Sequence, residues 1–304
     1  MDVREIEEDE LDQLVACIKA AQPREWASVD GFVDWRNQAD AMAWFLAEHD
    51  AHTVGAAFVL HGWHSPPHRA RGNVFVPPSN RGHGAGDALL DAIEGWAAER
   101  GANELDGSVQ EDDEGSLAWA GHRGYGEVGR NSSLVLDLTG IEAPEVAPPD
   151  GIEIVTWGGR PELVEGMYEV AREAGVDIPG EEESEIGTLE EWLARDMQGA
   201  SDDPNAVFVA LEGGRVVGYA KLSLAPDHPE RAFHDLTGVL RSHRGRGIAG
   251  ALKRMQIAWA KHSGYETLQT ANEQRNEPIR RLNERHGYVV EPGFVIVRGR
   301  IAND

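Results

Sequence analysis

Arg244, Gly245, Arg246, Gly247 and Gly250 fall within "HRGRGIAGAL", where two arginines and three glycines precede an apolar pattern of helical spacing. Glycines there let backbone N–H groups face outward, a helix start adds partial positive charge, and the arginines add whole charges. The stretch is therefore suited to an anion such as phosphate. A second stretch, "NRGHGAGDAL", lies 163 residues earlier and places Arg81, Gly82 and Gly84 in register with Arg244, Gly245 and Gly247. Three phosphate-holding designs compete. A P-loop requires Gly-Lys-Ser/Thr, which occurs nowhere in the sequence. Gly245-x-Gly247-x-x-Gly250 fits the dinucleotide pattern, but it lies deep in its half of the chain instead of after a first strand, and Asp87 replaces the third glycine of the first stretch. What both stretches share is Arg-x-x-Gly-x-Gly/Ala: Arg81, Gly84, Gly86, and Arg244, Gly247, Ala249.

The elements that must hold these loops also repeat. Val54 to Tyr125 aligns without a gap on Val217 to Tyr288, with identities at Trp96/Trp259, Gly101/Gly264 and Leu105/Leu268. A period this long predicts one fold used twice in tandem, not a solenoid. "GIEAPEVAPPDG" has linker composition, so the expected domains are 1–145 and 150–304. A strand runs into each loop. After it, Ile248, Leu252, Met255 and Trp259, like Ala85, Leu89, Ala92 and Trp96, recur at helical spacing. Each copy is expected to be an α+β domain, a mixed central β-sheet of roughly seven strands flanked by four helices.

Composition narrows the partners. The 304 residues carry 53 acidic against 28 basic side chains, a net charge of −25 that disfavours nucleic acid and favours a cationic amine or basic peptide. No apolar run is long enough to span a membrane, the acidic start "MDVREIEEDELDQ" is not a signal peptide, and the lone Cys17 has no disulfide partner. A cytoplasmic, membrane-free protein is expected, monomeric or homodimeric. His61, His64 and His68 in "HGWHSPPH" read as solvated surface, and no metal is expected.

The strand "HDLTGVL", the loop "RGRGIAG", the helix to Gly264 and the segment "TANEQRNEPIRRLNERHGY" together resemble the GCN5-related N-acetyltransferases, including their tandem members. The second copy matches over most of its length and the first chiefly from Val74 to Arg100. The resemblance implies that acetyl-CoA is the acyl donor. Its diphosphate would lie on Arg244, Gly245, Arg246, Gly247, Ile248, Ala249 and Gly250, and its pantetheine along the backbone of Thr237, Gly238, Val239 and Leu240. Asn272 and Asn276 would face the cofactor, although Asn276 also reads as the N-cap of the helix opened by Glu277-Pro278. In the first copy the equivalent contacts are Val74, Val76, Arg81, Gly82, Gly84 and Gly86.

Acetyl transfer to an amine needs a base for the ammonium proton and a donor for the leaving thiolate. The family's base position falls on His234, with Asp235 beside it, and its donor position falls on Asn283, which has no acidic proton. By the same offset the first copy has Arg71 and Ala120 at those places, so it is expected to be catalytically degenerate and the second copy catalytic. The reading is an acetyl-CoA-dependent N-acetyltransferase acting by direct attack of an amine. The rival is a non-catalytic acyl-CoA-binding sensor or scaffold. The acidic run "PGEEESEIGTLEEW", 179–192, is either a plain loop and helix start or a lid that attracts the amine.

Overall fold

A computed structural model describes residues 1–25, 27–62, 65–178, 186–225 and 228–301. By packing, the chain forms two compact units, residues 1–129 with 294–304, and residues 130–293. The first half of the chain runs β1 (Asp2–Ile6), α1 (Leu11–Ala21), α2 (Val29–Gln38), β2 (Ala41–His49), β3 (His52–His61), β4 (Arg69–Phe75), α3 (Ala85–Ala98), β5 (Glu104–Gln110), α4 (Glu114–His122) and β6 (Gly126–Asp137). The second repeats this order with β7 (Ile152–Thr156), α5 (Val164–Gly175), α6 (Leu189–Asp196), β8 (Asp202–Glu212), β9 (Arg215–Leu224), β10 (Arg231–Val239), α7 (Ile248–His262), β11 (Thr267–Glu273), α8 (Glu277–Arg285) and β12 (Val289–Arg300). Among the described residues each half has six strands, not seven, because the segment after the final Gly-Tyr continues as one long strand.

In the first unit β1 to β5 lie in chain order, antiparallel except for the parallel pair β4/β5, and residues 294–300 of β12 pair antiparallel with β5. In the second unit β7 to β11 do the same, with β10/β11 parallel, and residues 131–137 of β6 pair with β11. The last strand of each half therefore completes the other unit's sheet. A division at the linker follows chain order, whereas the units follow this exchange.

Alternation along the strands explains why both faces of each sheet are covered. On β2, Met42, Trp44 and Leu46 pack with Leu14 and Ile18 of α1 and Phe32 of α2, while Ala43, Phe45 and Ala47 pack with Leu89, Ile93 and Trp96 of α3. In the second unit Val207, Val209 and Leu211 face α5 and α6, and Phe208 and Ala210 face α7.

Candidate active site

Each parallel pair opens toward its glycine loop. Pairing of β10 with β11 runs only from Arg231/Thr267 to Phe233/Gln269, and a β-bulge then interrupts β10 between His234 and Thr237. A bulge turns the strand and leaves backbone groups unpaired on one edge. Thr237, Gly238 and Val239 still pair with β9 on their far side, and the Leu240 amide donates to Val217. Their near edge, where β11 has drawn away, is open for another amide-bearing chain.

Gly247 is the N-cap of α7 at φ +82, a left-handed conformation that only glycine adopts without strain, and Gly84 caps α3 at φ +86. A Cβ placed on Gly82, Gly84 or Gly245 would meet no atom within 4 Å, so these loop backbones face open space. Over Gly247 the nearest atom is Pro149 Cγ at 3.7 Å. Ile248 is buried in the core and Ala249 packs against that core. Gly250 instead lies under Arg254 and Leu282.

The two loop arginines share an anchoring role. Arg81 Nε donates to the Val76 carbonyl at 3.1 Å and Arg244 Nε to the Val239 carbonyl at 2.9 Å, so each ties its loop to the strand five residues back. Their remaining nitrogens pair with carboxylates, Arg81 with Asp113 at 2.9 Å and Arg244 with Asp177 at 2.7 Å. Arg246 pairs with Glu212 at 2.5 Å. Arg241 and then Arg244 hold Asp177 well below the usual carboxylate range, at about 2. Backbone amides are thus the loop's uncommitted donors, and an incoming phosphate would compete with Asp177 and Glu212 for the arginines.

Asp87, standing where the dinucleotide pattern needs glycine, accepts from Trp119 Nε1 at 2.8 Å and Arg123 Nε at 3.0 Å, fastening α3 to α4. Gly86 leaves the room for Trp119 that a Cβ would crowd at 3.4 Å. Asp113 caps α4 by accepting from the Ser116 amide at 3.0 Å. Its counterpart Asn276 occupies the N-cap position of α8 without making a side-chain capping bond.

His234 is 2% exposed and its Nε2 meets the Tyr288 hydroxyl. Gln256 Nε2 donates to the Lys221 carbonyl at 3.0 Å, which fixes the amide orientation and turns Oε1 inward. Gln256 favours protonation of the His234 ring, while His234 Nδ1 and Gln256 Oε1 are both buried without a hydrogen-bond partner. Burial, then Lys253, pushes the His234 pKa well below its ordinary value. Lys253, 1% exposed, sits with Nζ 5.3 Å from the Tyr288 ring centre, and burial lowers its pKa to about 7. Asn283, fully buried, donates from Nδ2 to Asn272 Oδ1 at 2.7 Å and leaves its own Oδ1 without a partner.

Asp235 points to the other side of β10. Its side chain is 46% exposed, and Oδ2 lies 2.7 Å from Lys221 Nζ and accepts from Ser223 Oγ at 3.3 Å. Lys221 is itself buried and also pairs with Asp202 at 2.7 Å.

Strand register changes one correspondence between the copies. In the first unit Arg71 pairs with Leu60 and Asp106, and Gly72 pairs with Val59. In the second, His234 pairs with Leu222, the counterpart of Val59. The bulge adds a residue that the shorter β9/β10 turn takes back, so His234 answers to Gly72 and not to Arg71. The first unit holds a cavity of about 480 Å³ reaching from Gly82 and Gly84 inward past Gly72 to Leu90 and Ile93. Val74 and Val76 line it as well.

Sequence spacing brought the loops, strands and Asn272/Asn283 together but missed Lys253, Gln256, Lys221, Asp177 and Glu212. Lys253 had a readable signal: its counterpart is Leu90, a core position. Of the histidine trio, His61 Nε2 contacts the Pro67 carbonyl at 2.7 Å, His68 lies 3.7 Å from Glu104, and His64 is outside the described residues. Residues 179–185 of the acidic run are also outside them, while Thr188 and Glu191 form a capping box on α6.

A model of the acetyltransferase (GNAT) family matches residues 3–125 and 164–288. The chain is 29% identical over 220 residues to a mycothiol acetyltransferase of Thermomonospora curvata, covering 72% of this chain and 70% of that one. Its fold matches a tandem GNAT protein from the clavulanic acid biosynthesis pathway (TM-score 0.78, 20% identity, 100% and 99% of the two chains). It also matches a GCN5-related N-acetyltransferase from Sphaerobacter thermophilus (TM-score 0.75, 23% identity, 99% and 96%).

Proposed function

The chain belongs to the GNAT acetyltransferase family, and from that premise we propose that this N-acetyltransferase moves acetyl from acetyl-CoA to a small cationic amine in its second unit. The observation that carries the reading is the bulged β10, whose unpaired edge at Thr237–Val239 leads straight into the open amides of Gly245 and Gly247. These amides and the α7 dipole would hold the diphosphate, and the strand edge would pair with the pantetheine amides. Acetyl-CoA supplies the activated acyl group; the chain's part is to place it and to manage the amine's proton.

For that proton the accessible group is Asp235. It sits at the bulge, half-exposed, with Oδ1 uncommitted, and suits an incoming ammonium that loses its proton to the carboxylate or to a water it holds. His234, expected from position to be the base, is enclosed on the opposite face and serves to hold the Tyr288 hydroxyl. Asn283 acts as a hydrogen-bonding wall through Asn272, not as an acid. The net charge of −25 favours the same cationic acceptors. For the first unit we propose binding without turnover, since Gly72 and Ala120 stand where the second unit has His234 and Asn283.

The test is thiol release from acetyl-CoA by the full chain with a panel of primary amines. A valine at Gly247 would force a β-branched residue into a left-handed conformation and cover the amides, so Gly247→Val should lose at least about 10²-fold in kcat/KM. Gly84→Val should keep most activity. The reverse pattern would place the chemistry in the first unit.

A further inference from the structure

The inner end of the first unit's cavity is lined by residues that are smaller or less polar than those buried at the matching positions of the second unit. Four positions make the difference. Where the second unit turns His234, Lys253, Gln256 and Asn283 into the layer beneath α7, the first unit has Gly72, Leu90, Ile93 and Ala120, and all four of these line the cavity. Leu105 and Val297, 1% and 6% exposed, close its inner end. Asn73 and Ser108, at its waist, satisfy each other: Asn73 Nδ2 donates to Ser108 Oγ at 2.7 Å and the Ser108 amide to Asn73 Oδ1 at 2.8 Å. The inner wall is thereby left apolar. Interiors are packed as densely as organic crystals, and a cavity of about 480 Å³, polar at its mouth and apolar at its inner end, has the size of a ligand pocket, not of a packing defect.

We propose that this cavity binds an acyl-CoA whose acyl group is apolar and longer than acetyl, with the nucleotide end on the Gly82–Gly84 loop and the chain among Leu90, Ile93 and Leu105. The proposal rests on the reading that this loop takes CoA, and it adds what the inner end selects. In the second unit the same acyl chain would have to bury Lys253, Gln256 and Asn283 against hydrocarbon, which strips those polar groups of partners. The two copies thus divide the donor pool, acetyl to the second and longer apolar acyl groups to the first. The lining hydroxyls are engaged elsewhere, Ser116 Oγ donating to Asp113 and the Tyr125 hydroxyl to Glu94, and Gly72 and Ala120 offer no base or donor. The ligand is held, not consumed.

The experiment is calorimetric titration of the full chain carrying Gly247→Val, which silences the second loop, with CoA, acetyl-CoA, butanoyl-CoA and octanoyl-CoA. Each buried methylene should tighten binding about fourfold, so octanoyl-CoA should exceed acetyl-CoA by on the order of 10²-fold if three or four methylenes enter. Leu90→Lys with Ile93→Gln, the second unit's own residues, should abolish the chain-length dependence and keep CoA affinity. Should that pair fail to fold, Ala120→Asn makes a smaller polar intrusion and should reduce the octanoyl preference. Equal affinity for CoA, acetyl-CoA and octanoyl-CoA would overturn the apolar-acyl proposal while leaving the loop reading intact. Absence of any CoA binding would overturn both.

Discussion

Replacing Lys253 with methionine should make the second unit more stable, and by an amount that depends on pH. The lysine is 1% exposed, and among the described residues no carboxylate lies within ion-pair distance of it. Burial lowers its pKa from 10.5 to about 7. Below about pH 7 the ammonium is charged in both folded and unfolded chains, and the folded state bears the full cost of enclosing it. Between about 7 and 10.5 the unfolded chain keeps a proton that the folded chain has released, so wild-type stability rises with pH. At about 1.4 kcal/mol per unit, the shift of 10.5 to about 7 corresponds to roughly 5 kcal/mol. Lys253→Met, which keeps the length of the stem without the charge, should therefore be several kcal/mol more stable near pH 7. The advantage should narrow by about 1.4 kcal/mol per pH unit and level off above about 10.5. Urea unfolding of the full-length proteins, read in α7 peptides by a hydrogen-exchange pulse at one common pH, isolates this unit. Parallel stability curves with a constant offset across that range would refute the reasoning.

Three other outcomes follow from the same site. Asp235→Asn should cut kcat/KM for cationic amines by about 10²-fold while leaving CoA affinity near wild type, and Asp235→Glu should restore part of the loss; an unchanged rate would remove Asp235 from the reaction. Arg244→Ala removes the tie from the loop to Val239, so KM for acetyl-CoA should rise about tenfold with a smaller change in kcat, and equal falls in both would argue for a transition-state role instead. Asp177→Asn should tighten CoA binding in a salt-sensitive way by releasing Arg241 and Arg244. It should also abolish the stability that wild type keeps above about 4 and loses as pH falls toward 2, because Asp177's folded pKa is the lowered one; acid unfolding at the same midpoint would contradict this.

The repeat, the loops and the helices after them were legible because each is local: glycine at a left-handed cap and apolar residues at helical spacing leave marks within a dozen positions. The bulge at His234 was not. It inserts one residue that a shorter turn removes, so the alignment runs without a gap while the counterpart of His234 slides from Arg71 to Gly72. Neighbours on a strand alternate faces, so His234 and Asp235 lie on opposite sides of β10, but spacing could not tell which face was closed, since that depends on Tyr288, which is 54 residues away. Lys253 was passed over because a lysine on a helix is ordinarily taken for a solvated one, although the repeat aligns it with Leu90, a core position. Burial of Gln256 and Asn283 is a property of the layer between α7, α8 and the sheet.

The exchange of final strands sets an order of events during synthesis. As a chain leaves the ribosome, everything the second unit needs, residues 130–293, emerges before residues 294–300, which pair with β5. The half made first is therefore finished last. From the appearance of Gln110 to that of Phe294, β5 presents an edge without its native neighbour, an interval on the order of ten seconds or more at ordinary elongation rates. Such an edge is a template for stray pairing, and the nearest candidate is the nascent β6 itself, which must be surrendered once β11 arrives. Emergence of residues 294–300, not completion of the first half's own sequence, is the event that closes the first sheet.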